Sequence, residues 1–252
     1  MRVHQQLSAW RAVRAGTDYA GRTVGFVPTM GALHAGHRAL LERARAENDR
    51  VVLSLFVNPT QFNDPADLAK YPRTPEADLA LARGLADDVV VPASDELYPD
   101  DYRYRVTEEP FSRELEGAHR PGHFEGVLTV VLKLLNLVQP HRAYFGEKDW
   151  QQLQLVRGLV AAFFVPCEIV ACPTVRADDG LALSSRNARL TADGRARAAH
   201  FPQILGASPD AATAVLELGM AGLEVDYVED RLGMRLGAVR VGGVRLIDNV
   251  RL

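Results

Sequence analysis

The sequence predicts an α/β protein: a doubly wound parallel sheet over residues 1–174, followed by a smaller α+β domain over 175–252. Three observations carry this. Runs at 24–27, 51–57, 88–91, 143–145 and 168–172 are apolar almost throughout, as strands covered on both faces are. Helical periodicity fills the intervals between them, so β–α units and a parallel sheet are expected. Beyond Thr174 the texture changes to a polar loop, an Arg- and Ala-rich helix and short strand-like runs, and the boundary is placed there.

In chain order, residues 1–20 read as a short amphipathic helix with Leu7, Trp10 and Val13 on one side, leading into a first strand at 24–27. A turn from Pro28 to Gly31 enters a helix whose apolar positions Leu33, Leu40, Leu41 and Ala44 recur at helical spacing. A second strand at 51–57 ends in the polar loop Asn58-Pro59-Thr60-Gln61-Phe62-Asn63. Thr74-Pro75-Glu76 opens a helix with a capping hydroxyl and Pro at its first position. Residues 100–120 read as an irregular polar excursion over the surface. Val127, Val130, Val131, Leu134, Leu135 and Val138 then make one stripe on a helix that Pro140 ends. Gly146-Glu147-Lys148-Asp149 opens a further helix, and 168–172 is a strand. Residues 206–222 are Gly- and Ala-rich, and short strands are expected at 226–229, 238–241 and 244–247, with Val241-Gly242-Gly243 as a tight hairpin. Ligands of parallel sheets sit beyond the carboxyl ends of the strands. Residues 28–37, 58–62 and 146–149 all follow strands, so they should converge on one mouth.

Composition excludes several classes. The chain of 252 residues is 47% hydrophobic and 24% charged with a net charge of −3, which offers no basic footprint for a nucleic-acid partner. No apolar run approaches the ~20 residues of a membrane span. The opening Met1-Arg2-Val3-His4-Gln5-Gln6 lacks the apolar centre of a signal peptide. Cys167 and Cys172 have no His or Asp set nearby and are expected to be buried thiols in a reducing compartment, so the expected location is the cytoplasm. Of the 29 basic residues three are lysines (Lys70, Lys133, Lys148) and the remaining 26 are arginines. A lysine in a motif therefore points to a site that wants a compact ammonium.

The chemistry concentrates in four places. His34 and His37 lie three residues apart at the start of a helix, where unpaired backbone N–H groups and the macrodipole favour an anion. Imidazoles there can donate to phosphate oxygens; two surface histidines on a turn are the plain alternative. Lys148 precedes another helix start, while Asp149 and Gln152 also fit a purely structural capping box. Gln61, in its loop, can orient a carboxylate or hydroxyl. Ser184, Ser185 and Arg186 offer hydroxyls and a guanidinium for phosphates, or an ordinary Ser N-cap beside a solvated arginine. No Gly-x-Gly-x-x-Gly, Walker A, zinc-protease or nucleophile-elbow motif occurs.

Pro28-Thr29-Met30-Gly31-Ala32-Leu33-His34-Ala35-Gly36-His37 resembles the His-x-Gly-His nucleotide-binding motif of the nucleotidyltransferase superfamily, in the form found in pantothenate synthetases. The resemblance continues through Phe56-Val57-Asn58-Pro59-Thr60-Gln61-Phe62, Tyr71-Pro72-Arg73-Thr74 and His123-Phe124-Glu125-Gly126-Val127. It extends to Phe145-Gly146-Glu147-Lys148-Asp149-Trp150-Gln151-Gln152, Leu183-Ser184-Ser185-Arg186-Asn187 and Arg245-Leu246-Ile247-Asp248-Asn249. It implies a Rossmann-like domain with a small lid-like domain, and the ATP-dependent joining of pantoate to β-alanine through a pantoyl adenylate, releasing pyrophosphate and AMP. It further implies that ATP is bound by Met30, Gly31, Ala32, Leu33, His34, Ala35, Gly36 and His37. Gly146, Glu147, Lys148, Asp149, Val175, Leu183, Ser184, Ser185 and Arg186 complete that set. His37, with His34, Lys148 and Arg186, is implied as catalytic, and Gln61 and Gln152 as holding pantoate. Mg2+ is expected mainly on the phosphates, with no protein metal site, no nucleic-acid or membrane partner, and a homodimer. Other small-molecule adenylyltransferases and a non-catalytic nucleotide-binding protein are the alternatives on the same fold. Two departures stand out: Leu183 where the family often has Met, a change that preserves volume, and a compressed stretch at 198–224.

Overall fold

The structure is a computed structural model that describes residues 1–252, and it falls into two compact units. The first comprises 1–146 and 151–172, and the second comprises 147–150 and 173–252. Residues 147–150, which the sequence places inside its first domain, thus group with the second.

In the first unit the chain runs β1 (Arg2–His4), α1 (Leu7–Arg14), β2 (Val24–Thr29), α2 (Ala35–Glu47) and β3 (Arg50–Leu55). It continues through α3 (Pro65–Lys70), α4 (Pro75–Ala82), β4 (Asp88–Val90), α5 (Ser94–Leu97), α6 (Glu116–His119) and α7 (His123–Val138). It closes with β5 (Arg142–Gly146), α8 (Trp150–Ala162) and β6 (Glu168–Cys172). The strands form one six-stranded sheet in the order β1-β4-β3-β2-β5-β6, and every neighbouring pair is parallel. Burial on both faces follows from strand alternation. Phe26, Val52 and Val90 face one core with Trp10, Phe124, Val131 and Leu135. Their strand neighbours Val27, Val51, Leu53 and Val89 face the other with Leu41 and Tyr144.

The doubly wound sheet expected from the sequence is present, with one strand more than expected. The sequence alone reads β1 as part of an amphipathic helix, because three residues of which two are polar carry no strand signal. It becomes a strand by pairing with β4, where the fully buried Asp88 captures Arg2, His4 and Tyr19. Helix α7 is also more enclosed than a single stripe implies. Twelve of its 16 residues are buried, including Leu128, Thr129 and Leu137 away from the predicted line. The 100–120 excursion is bound down: Val106 N–H donates to Thr129 Oγ1 at 2.9 Å, and the Gln151 amide donates to the carbonyls of Phe111 and Glu114. At the start of α4, Thr74 does not cap; its hydroxyl donates to Asp78 Oδ1 at 3.1 Å instead.

The order of the sheet positions the loops of interest. The chain steps from β2 to β3 and β4 on one side, then crosses to β5 on the other, so the direction of winding reverses between β2 and β5. This is where doubly wound sheets bind ligands. Pro28 contributes directly. β2 pairs with β3 along its whole length but with β5 only at Gly25 and Phe26. A proline has no N–H to give a second neighbour, so the β2–β5 ladder stops short of it. The loops after β3, β2 and β5 therefore leave the same edge side by side.

The second unit carries α9 (Ala192–Ala198), α10 (His200–Ala207), α11 (Ala211–Met220) and an antiparallel sheet β7 (Glu224–Arg231), β8 (Met234–Val241), β9 (Val244–Arg251). The stretch 206–222, uninformative as sequence, holds α11 under an Asp210 N-cap. Its strands are longer than expected, at eight residues each. Gly242 and Gly243, with φ of +56° and +74°, make the two-residue hairpin that joins β8 to β9. Phe201, Leu205, Ala214 and Leu218 from the helices pack on Val228, Val239, Val241 and Leu246 of the sheet.

Candidate active site

The loop between β2 and α2 is held by β3, by α4 and by a bond of its own. The Thr29 hydroxyl donates to Ser54 O at 2.7 Å and accepts from Gly31 N–H at 3.2 Å. The buried Asp78 of α4 accepts from Ala32 N–H at 3.0 Å and Leu33 N–H at 2.7 Å. Gly31 has a φ of +80°, and a Cβ on it would come within 2.9 Å of Asp78 Oδ2, so both backbone shape and space require glycine there.

His34 and His37 differ from the expectation of two imidazoles on one helical turn. His34 is the N-cap, with extended backbone, and only His37 lies within the helix. They close a reciprocal cap: Gly36 N–H donates to His34 Nδ1 at 3.1 Å, and His34 N–H donates to His37 Nδ1 at 3.3 Å. The ring centroids are 4.1 Å apart. A nitrogen that accepts carries no proton, so in each neutral ring the proton sits on Nε2. The first turn of α2 thus holds two imidazole rings in fixed orientation beside the backbone N–H groups of the helix start.

Gln61 lies in the 3-10 turn Pro59–Gln61 after β3, and its amide is oriented by Asn58. Asn58 is buried and donates from Nδ2 to Gln61 Oε1 at 3.0 Å and to Gly126 O at 3.2 Å. It accepts at Oδ1 from the hydroxyls of Tyr98 (2.8 Å) and Thr60 (3.0 Å). Burial pushes the Tyr98 phenol up to about 12, so it remains a donor at neutral pH. With its oxygen engaged, the Gln61 amide turns Nε2 toward Met30 and donates one hydrogen to Sδ at 3.2 Å, which leaves the second amide hydrogen to donate. The main chain is fixed as well. Gln61 O accepts from His123 Nδ1 at 2.8 Å and Arg120 Nη2 at 3.3 Å. Helix α7 comes so close that a Cβ on Gly126 would lie 2.5 Å from Thr60 O. Gln152, on α8, is half-buried. The 3-10 turn Glu147–Asp149 runs directly into α8, so Asp149 ends that turn and Gln152 lies in the first turn of the helix.

In the second unit, Lys148 sits in that 3-10 turn with its side chain 17% exposed and Nζ 3.7 Å from Asp149 Oδ1. Val175 and Leu183 are joined by a 2.9 Å bond from Leu183 N–H to Val175 O, so the two ends of the 175–183 hairpin meet. Ser184 Oγ accepts from Arg186 N–H at 3.2 Å and caps the 3-10 turn Ser185–Arg189, the structural role weighed for it as sequence. Capping does not exclude phosphate binding, because a hydroxyl that accepts still has its own proton to donate.

The model of the pantoate–β-alanine ligase family matches residues 2–251. The chain belongs to the pantoate–β-alanine ligase family. It is 53% identical to the pantothenate synthetase of Bdellovibrio bacteriovorus, covering all of this chain and 98% of that one. To the enzyme of Legionella pneumophila strain Lens it is 49% identical, with both chains fully covered. Among solved structures, the pantoate–β-alanine ligase of Francisella tularensis, complexed with β-γ ATP and β-alanine, superposes with a TM-score of 0.95. That pair is 38% identical over 100% of this chain and 97% of the other. The pantothenate synthetase of Thermus thermophilus gives 0.89 at 42% identity, over 100% and 99%. The ligase fold, with its parallel sheet and small antiparallel unit, is the one described above. No helix is long and apolar enough to cross a membrane.

Sequence reading assigns no role to Asp78, Asn58, Arg120, His123 or Asn249. All five bond directly to a candidate residue or its loop, Arg120 and His123 both at the Gln61 carbonyl. Asn58, His123 and Asn249 lie in the motif blocks that carry the family resemblance, which is the available signal. Asp78 has none.

Proposed function

We propose that this enzyme joins pantoate to β-alanine at the expense of ATP with the residues placed above. In the first step a pantoate carboxylate oxygen attacks the α-phosphorus of ATP, the bond to the β-phosphate breaks, and pyrophosphate leaves. In the second, the unprotonated amine of β-alanine attacks the acyl carbon of the pantoyl adenylate, the bond to AMP breaks, and the amine proton passes to solvent. Neither step requires a covalent enzyme intermediate. Both require positioning and neutralisation of charge.

The reciprocal His34–His37 cap is the observation that carries this reading. With Nδ1 of each ring occupied by backbone N–H, the Nε2–H groups serve as fixed donors to phosphate oxygens, and His37 carries the larger share at the α-phosphate. Residues Met30 to His37 supply backbone approach to the nucleotide. Lys148, one of three lysines in the chain, and Arg186 neutralise developing phosphate charge. Gly146, Glu147, Asp149, Val175, Leu183, Ser184 and Ser185 line the nucleotide. Gln61, through its second amide N–H, holds the pantoate carboxylate or hydroxyls, and Gln152 assists. No three His, Cys, Asp or Glu side chains come together to hold a metal ion. A Mg2+ that accompanies the triphosphate would take its ligands mainly from phosphate oxygens and water. It would add charge neutralisation to that of Lys148 and Arg186. Cys167 and Cys172 are buried and form no disulfide, which supports a reducing, cytoplasmic setting, and the family resemblance supports a homodimer.

A coupled pyrophosphate assay tests the reading. Pyrophosphate should appear only with ATP and pantoate together, and pantothenate only once β-alanine is added. His37→Ala should abolish turnover while ATP binding is largely kept. Pantoate-independent pyrophosphate release, or unchanged turnover in His37→Ala, refutes the assignment.

A further inference from the structure

Strand β9 carries the motif Arg245-Leu246-Ile247-Asp248-Asn249, to which the reading above attaches no function. Asn249 is 6% exposed, and both hydrogens of its amide are committed. Nδ2 donates to Glu147 O at 2.9 Å and to Lys148 O at 2.9 Å. These two carbonyls belong to the two peptide planes that flank the Lys148 Cα. Holding both planes sets φ and ψ of Lys148, and with them the direction in which its Cα–Cβ bond leaves the chain. The residue beside it grips a second segment. Asp248, 2% exposed, takes a bidentate pair from Arg176 at 2.6 and 2.9 Å. Arg176 Nη1 also donates to Gly180 O at 3.1 Å, and Nη2 to Asn249 O at 3.3 Å, which closes the Val175–Leu183 hairpin. Asn249 N–H donates to Asp248 Oδ1 at 2.8 Å, so the two residues are themselves locked together.

We propose that Asp248 and Asn249 form a brace in which Asn249 is a positioning residue for the Lys148 ammonium and Asp248, through Arg176, one for the Val175–Leu183 hairpin. The inference rests on the nucleotide role given above to Lys148. The chemistry demands asparagine. An aspartate has the same shape but would turn acceptors toward two carbonyl oxygens, and a glutamine is one methylene too long for the same pair. Fixing the backbone of Lys148 removes freedom that would otherwise be lost on binding. A displacement of ~1 Å at a positioning contact costs about a hundredfold in rate.

The test is a double-mutant cycle read by pantoate-dependent ATP–pyrophosphate exchange. Asn249→Asp should lower kcat/KM for ATP by about ten- to a hundredfold, and Asn249→Ser, which keeps one donor, by less. In a Lys148→Ala background the same Asn249 changes should have almost no further effect, because the group they position is gone. Equal losses in both backgrounds would mean a merely structural role and overturn the inference. So would full activity of Asn249→Asp beside a crippled Lys148→Ala. Full activity of Lys148→Ala would instead refute the role of Lys148 itself. If Asn249→Asp fails to fold, Asn249→Ser carries the cycle.

Discussion

Replacing Asp78 by alanine probes how far the β2–α2 loop depends on one buried carboxylate. Asp78 is 3% exposed and receives three hydrogen bonds, from Ala32 N–H, Leu33 N–H and the Thr74 hydroxyl. Leaving a buried donor unpaired costs about 1–3 kcal/mol. Ala32 and Leu33 are only half-buried, so water can replace part of what is lost, and a total of about 2–4 kcal/mol is expected. The loop also holds Ala32 at a φ of +50°, a left-handed conformation that costs a non-glycine residue about 1–2 kcal/mol. Without the carboxylate that strain is released by moving the loop, and His34, two residues on, moves with it. Asp78→Ala should therefore lower the urea midpoint and reduce kcat/KM for ATP by about a hundredfold. Asp78→Asn should fall between wild type and Asp78→Ala, since one oxygen still accepts while its NH2 opposes the other N–H. A variant with an unchanged urea midpoint and wild-type ATP kinetics in the pyrophosphate assay would refute the reasoning.

Two further outcomes follow from the geometry. Gly126→Ala places a methyl where Thr60 O already stands at 2.5 Å. The Pro59–Gln61 turn must then shift, and the expected result is a raised KM for pantoate in steady-state kinetics, with secondary structure by circular dichroism unchanged; an unaltered KM would remove Gln61 from the pantoate site. The second concerns acid stability of the small unit. Burial pushes the Asp226 carboxyl up, but hydrogen bonds from Arg245 and Arg240 outweigh it and hold the group below its ordinary value. A carboxyl whose folded pKa is depressed contributes stability that is present above its unfolded pKa, about 3.9, and lost as pH falls through the lower folded value. Wild type should therefore lose urea resistance below about pH 4 more steeply than Asp226→Asn, and parallel pH profiles would exclude the Arg–Asp–Arg cluster as a cause.

Much of this molecule is legible in its sequence. Val24 to Val27, Val51 to Leu55 and Glu168 to Cys172 announce strands, because burial on both faces forces a continuous apolar run that a few neighbouring residues record. The helix through Val127, Val131, Leu134 and Val138 announces itself by period. The His34–His37 motif, Lys148 and Gln61 can be singled out because their chemistry and their place after strands are local properties. What the tertiary structure alone decides is how these groups are held. His34 is a cap rather than a helical residue, and its tautomer follows from a bond to a backbone N–H. β1 is a strand only because β4 is there to pair with it, and His4 reaches Asp88 across 84 residues of chain. Asp78 reaches its loop across 45 residues, and Asn249 reaches the Lys148 carbonyl across 101. Side-chain-to-backbone bonds over such distances leave no periodic trace, since their partners become neighbours only when the whole chain has closed. The residues able to do chemistry are thus determined by sequence, and the geometry in which they do it by the fold.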